Sequence, residues 1–229
     1  MTQQTSANPP KPDYPRALPP VLAAVAGYVD ACTFLAFAGF FVAQATGSFV
    51  AAGADLLTPN EAYAFKVLAI PVFILAGMLT TAIVRVSAVR LALTLTLGIE
   101  AVLLIGLDLA GLSAATGAIS AVPALFGLAA MGVQSAAVRL LLYSSGSTNV
   151  MTTNTTQLSI EIVDSIRAGA ATPKLLQTAS IMTGFLGGIV LGGFAYRAWG
   201  FAGLALPIVV LLALALASFV KSGEQPVTV

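Results

Sequence analysis

Gly27-Tyr28-Val29-Asp30-Ala31, followed by Gln44-Ala45-Thr46-Gly47-Ser48, decides how this chain is read. Asp30 sits midway along the apolar run from Leu18 to Phe41. A helix needs about 20 apolar residues to cross the hydrocarbon of a bilayer, and this run is long enough. A carboxylate in hydrocarbon is costly, so an intramembrane Asp marks a functional site by default. The run then breaks at residues that favour bare backbone over helix. Gly47 brings conformational freedom, and Thr46 and Ser48 bring side-chain oxygens.

The composition places the whole chain in the membrane class. Of its 229 residues, 58% are apolar and only 8% are charged, whereas soluble domains carry about 25% charged residues. The net charge of +1 and the lack of a basic stripe argue against a nucleic-acid partner. There is no His, which removes imidazole metal sites, bases and proton relays together. Cys32 stands alone and reads as a small core residue without a redox role. Neither a metal nor a cofactor is expected. Enzyme readings find no His–acid constellation, nucleophile elbow or phosphate loop. An intramembrane acid protease using Asp30 and Glu100 has nothing to mark it, so no catalytic activity is expected.

Residues 1–17 carry Pro9, Pro10, Pro12 and Pro15 among polar residues and read as a disordered tail. Leu18–Phe41 is too long for a signal peptide's apolar core and is expected to be an uncleaved first span. Five more apolar runs follow at Tyr63–Val84, Ala88–Leu109, Ala118–Leu142, Leu175–Tyr196 and Phe201–Val220. Residues 18–220 then form one transmembrane domain, with 221–229 as a second tail. Six spans put Lys11, Arg16, Arg85, Arg90, Arg139, Arg167, Lys174 and Lys221 on the side of the termini, against Lys66 and Arg197 opposite. Both termini are therefore expected in the cytoplasm.

A second pattern returns about a hundred residues on. Gly27-Tyr28-Val29-Asp30-Ala31 falls over Gly132-Val133-Gln134-Ser135-Ala136 at an offset of 105. Thr46-Gly47-Ser48 falls over Thr153-Asn154-Thr155 at 107, and Leu75-Ala76-Gly77-Met78 over Leu186-Gly187-Gly188-Ile189 at 111. Repeats at about 18–110 and 118–220 hold three spans each, and an odd number inverts the second copy. The expected fold is all-α, with six transmembrane helices in two inverted three-helix repeats. Polar segments break the chain after helices 1 and 4, as in many secondary transporters.

The stretch Gly27-Tyr28-Val29-Asp30-Ala31, then Phe34-Leu35 and Phe41-Val42 before Thr46-Gly47-Ser48, resembles the YoaK-like family of bacterial six-span membrane proteins. Ser48 stands where that family usually has Asn, and Asn154 where it usually has Gly. The resemblance implies the fold and a bacterial inner (plasma) membrane location, and it names no substrate.

Asp30 and Glu100 each lie 12 residues past the start of a parallel span, so they are expected at one depth, about 18 Å in. If their helices are neighbours, repulsion and desolvation oppose double ionisation, and the pair is expected to carry one proton. Sodium held between the carboxylates and the break would look the same in sequence. Arg139 is the nearest cation, and Gln134 reads as a polar lining residue or as interhelical glue. Gly184, Gly188 and Gly192 form a groove at four-residue spacing, open to another helix of this chain or of a second copy in a homo-oligomer. Leu158–Arg167 reads as a short amphipathic interfacial helix, with a counterpart at Phe49–Leu57. The functional expectation is a secondary carrier of a small solute, possessing Asp30, Gln44, Thr46, Gly47, Ser48, Glu100, Gln134, Arg139, Thr153, Asn154 and Thr155 along its path. The alternative is a membrane scaffold whose helices only pack.

Overall fold

The computed structural model describes residues 14–37, 39–44, 47, 50, 53–54, 57, 63–114, 121–143 and 146–222. Thr46, Ser48, both tail ends and most of the expected 49–57 helix lie outside them. Helices α1 (Leu18–Ala36), α2 (Tyr63–Val86), α3 (Val89–Ala114), α4 (Ala121–Leu141), α5 (Met151–Ala168), α6 (Pro173–Trp199) and α7 (Ala205–Ser222) make up the described fold. A 3-10 turn, Gly200–Leu204, joins α6 to α7.

Five stretches among the described residues are long and apolar enough to cross a bilayer. They are Leu18–Ala36, Val67–Val86, Val89–Ser113, Val122–Leu141 and the 48-residue Pro173–Val220, which contains α6 and α7. Their outward faces are apolar. On α2 alone Ile74, Leu75, Met78 and Leu79 are more than half exposed, as suits contact with lipid chains rather than water. The chain is a membrane-embedded helical protein. Pro71 lies inside α2, where transmembrane helices tolerate it.

Glycines fix the closest helix pair. A Cβ on Gly184, Gly188 or Gly192 would collide with the backbone carbonyls of Pro20, Ala24 and Tyr28, and one on Gly27 with that of Phe185. The numbers rise together, so α1 and α6 run parallel. Bare glycine lets the two backbones touch, which replaces the hydrophobic drive that lipid does not supply. Tyr28 Oη donates to the Gly203 carbonyl at 2.6 Å, tying α1 to the 3-10 turn. The groove expected from the glycine spacing is thus filled from within the chain.

A second parallel pair follows the same logic. Gly132 of α4 lies against the Phe73 carbonyl and Ala76 of α2, and Gly77 of α2 lies near Ala136 of α4. Between α3 and α7, Ser218 Oγ meets the Arg90 carbonyl at 3.3 Å, while Gly111 packs under the Phe201 ring just before α7. Those two helices are antiparallel.

The first span was expected to reach Phe41, but α1 stops at Ala36. The cause is Asp30, which draws the following segment back alongside the helix, with Gly39 at φ 91° allowing the reversal. The amphipathic helix expected at Leu158–Arg167 is longer, running from Met151 to Ala168. Its buried residues are Asn154, Glu161 and Ser165, whereas Ile162, Val163 and Ile166 are exposed. Its exposed side mixes those apolar residues with Thr155, Thr156, Ser159, Asp164 and Arg167, while its buried side is polar.

Candidate functional site

Asp30 is buried, and its two oxygens are both engaged. Oδ1 accepts from the amides of Val42 at 3.0 Å and Ala43 at 2.7 Å. Oδ2 faces Gln44 Nε2 at 3.4 Å. Past Ala36 the backbone can no longer satisfy itself within a helix, and a carboxylate is the strongest acceptor available to it. The first break therefore folds back to the level of Asp30. Gly47 donates its amide to the Gln44 carbonyl at 3.0 Å, which tightens the turn.

The second break does the same on α4. Gln134 Nε2 donates to the Leu22 carbonyl at 2.8 Å and to Thr148 Oγ1 at 3.1 Å. Asn149 Nδ2 donates to Ser135 Oγ and, at 3.3 Å, to the Ala43 carbonyl. Thr148 and Asn149 thus return beside Gln134 and Ser135, seven and six residues back from the end of α4 at Leu141, roughly 10 Å at the helical rise. The Ala43–Asn149 bond joins the two breaks directly.

From that level α5 starts at Met151 and runs outward along the first turns of α6. Gly146 lies near both Asn154 and Ile181, and at the far end Ser165 Oγ meets Thr172 Oγ1 at 3.2 Å. Among the described residues, the start of α5 has no side-chain cap on its first-turn amides. Gly146 itself sits at φ 86°, and a Cβ there would meet neighbours only at ordinary contact distance. Gly146→Ala should then cost about 1–2 kcal/mol of backbone strain, with Gly146→Asn milder because Asn tolerates this region. Thermal unfolding of the purified variants checks the order.

A cleft of about 620 Å³ opens between α4, the second break, α5 and the start of α6. Its lining includes Ala43 and Gln44 from the first break and Ser135, Arg139 and Asn149 from α4 and the second. Thr153, Asn154, Glu161 and Lys174 complete its polar wall. Asn154 Nδ2 donates to the Ser147 carbonyl at 2.6 Å, and Glu161 Oε1 accepts from Gln157 at 2.9 Å.

Of the residues expected along a path, Gln44, Arg139, Thr153 and Asn154 line this cleft. Gln134 is buried beside it as glue between α1, α4 and the second break. Thr155 is on the exposed side of α5, bonded to the Met151 carbonyl. Asp30 and Glu100 are not in the lining. Among the described residues, Glu100 is buried on α3 with Oε1 unpartnered, and Asp30's side-chain hydrogen bonds all run to the first break. The expected break at Thr153-Asn154-Thr155 is helix instead, within the first turns of α5. The break itself lies at 146–150.

Ser147, Thr148, Asn149, Glu161 and Lys174 escaped the sequence reading as site residues. A constant offset of 105 would have found Asn149. Asp30 and Gln44 are bonded 14 residues apart, and Ser135 and Asn149 are bonded 14 apart as well. Glu161 is hidden in a helix whose buried residues are polar.

No curated protein and no solved structure matches this chain. A family model described as "Protein of unknown function (DUF1275)" matches residues 18–217, in keeping with the YoaK-like resemblance carried by Gly27–Ser48. With that match over most of its length, the chain belongs to the DUF1275 family.

Proposed function

We propose that this protein is a secondary carrier of a small solute, without catalytic activity, crossing the membrane six times as two inverted three-helix repeats. The observation that carries the reading is the Ala43–Asn149 hydrogen bond, which joins two re-entrant breaks at a polar cleft. Broken segments meeting inside a helical bundle offer unpaired backbone groups to a solute, as in inverted-repeat transporters. Three features support the repeat. Asp30–Gln44 and Ser135–Asn149 have equal spacing. Gly27 meets the Phe185 carbonyl as its counterpart Gly132 meets that of Phe73. The pairs α1–α6 and α2–α4 are both parallel, as an up-down-up set against its inverse requires.

In this reading Pro173–Val220 makes two crossings, and the distribution of Lys and Arg puts both termini in the cytoplasm of a bacterial plasma membrane. Proton or sodium coupling through Asp30 and Glu100 remains part of the proposal only at a distance. Neither acid lines the cleft, and of the two only Asp30 is bonded to a break, so Asp30 would act through that break rather than on the solute. The scaffold alternative loses its main support, because the glycine groove is occupied by α1.

Alternating access is testable without knowing the solute. Thr153→Cys in a Cys32→Ala background places one thiol in the cleft; Cys32 is buried and unreactive by position. A membrane-impermeant thiol reagent should label it from both faces of sealed vesicles. Labelling from one face only would end the carrier reading.

A further inference from the structure

The cleft carries both signs of charge. Arg139 of α4 and Lys174 of α6 line it together with Glu161 of α5. Glu161 is only 5% exposed. Its Oε1 is held by Gln157, and its Oε2 is buried without a hydrogen-bond partner among the described residues. Burying a carboxylate oxygen without a donor is costly, so Glu161 is one donor short where it meets the cleft wall.

The opposite end of the same wall suits an anion. Val150, Met151, Thr152 and Thr153 line the cleft, and among the described residues no side chain caps the first turn of α5. First-turn amides lack partners within a helix and carry partial positive charge, and Arg139 adds a full one. A purely anionic solute would meet the carboxylate of Glu161 at the cleft wall. A purely cationic one would meet Arg139, Lys174 and the positive end of the helix. A neutral solute would leave Glu161 without a counter-charge.

We infer that the solute is a small zwitterion, with its carboxylate against the first turn of α5 and Arg139 and its ammonium against the side chain of Glu161 where it lines the cleft. The inference rests on the carrier reading and names its substrate class. Thr153 and Glu161 are eight residues apart on α5, roughly 12 Å at the helical rise. Side chains on a helix lean toward its N-terminus, which shortens the gap for Glu161. The spacing favours ω-amino acids of several carbons over glycine.

Titration calorimetry on the purified full chain tests this with glycine, 4-aminobutanoate and 6-aminohexanoate, using hexanoate and hexylammonium as single-charge controls. The longer zwitterions should bind at least about tenfold more tightly than either control. Glu161→Gln should lower 6-aminohexanoate to the level of hexanoate, and Arg139→Gln should lower it to that of hexylammonium. Melting temperatures of the unliganded variants report whether the fold is kept. A control binding as tightly as the zwitterions, or no binding across the series, overturns the inference. Two-sided labelling of Thr153→Cys beside a failed series removes the zwitterion and keeps the carrier. One-sided labelling removes the carrier whatever binds.

Discussion

Gly188→Leu should yield almost no folded protein, whereas Gly187→Leu one position away should be tolerated. A Cβ on Gly188 would run into the Ala24 carbonyl, while one on Gly187 meets nothing within 4 Å. Backbone atoms cannot rotate aside as a side-chain tip can, so α1 and α6 would have to separate along their length. That undoes the neighbouring contacts at Gly184 and Gly192 and strains the Tyr28–Gly203 bond. Overpacking of a well-fitted core typically costs about 1–3 kcal/mol, and a collision with rigid backbone should exceed the upper end. In a membrane the loss is sharper still, since packing and hydrogen bonds are what hold helices together. Size-exclusion profiles of the two variants in mild detergent separate the outcomes. A well-behaved Gly188→Leu peak would mean that the parallel α1–α6 seam is wrong.

The second large effect belongs to Asp30, and the acceptor rather than the charge should set it. Asp30→Ala leaves the amides of Val42 and Ala43 buried without an acceptor. At about 1–3 kcal/mol for each of the two unsatisfied groups, the loss should be about 2–6 kcal/mol. Asp30→Asn keeps an oxygen where Oδ1 stands, and that single atom serves both amides. Only the longer contact to Gln44 is disturbed, and a flipped Gln44 amide can restore it. Thermal unfolding should therefore rank wild type close to Asp30→Asn and well above Asp30→Ala. Equal damage from both substitutions would show that the negative charge matters for folding. If Asp30→Asn folds normally yet abolishes transport, the acid has a role in coupling beyond its clasp on the break.

Several features were decided by sequence alone. The length and apolarity of the runs specify membrane helices, because a bilayer core imposes a minimum length that few other environments demand. The four-residue glycine spacing on α6 specifies a close helix contact, because every fourth residue lies on one face. The carboxylate of Asp30 inside an apolar run required a partner, and the break beyond it was visible as a cluster of helix-averse residues. What the sequence left open were the partners. Only the tertiary structure decides that the glycine face meets α1 rather than a second copy, since composition does not encode which backbone arrives. It also moves the second break from Thr153–Thr155 to 146–150. Threonine and asparagine tolerate both a helix's first turn and an irregular segment, and the choice falls to Gln134, which donates to Thr148, and Ser135, which accepts from Asn149, in another element. Glu161 is the clearest case. Its helix reads as amphipathic either way, and the face that turns inward depends on what surrounds the bundle. The stripe Asn154, Glu161 and Ser165 is the one turned inward, and the buried acid comes to line the cleft.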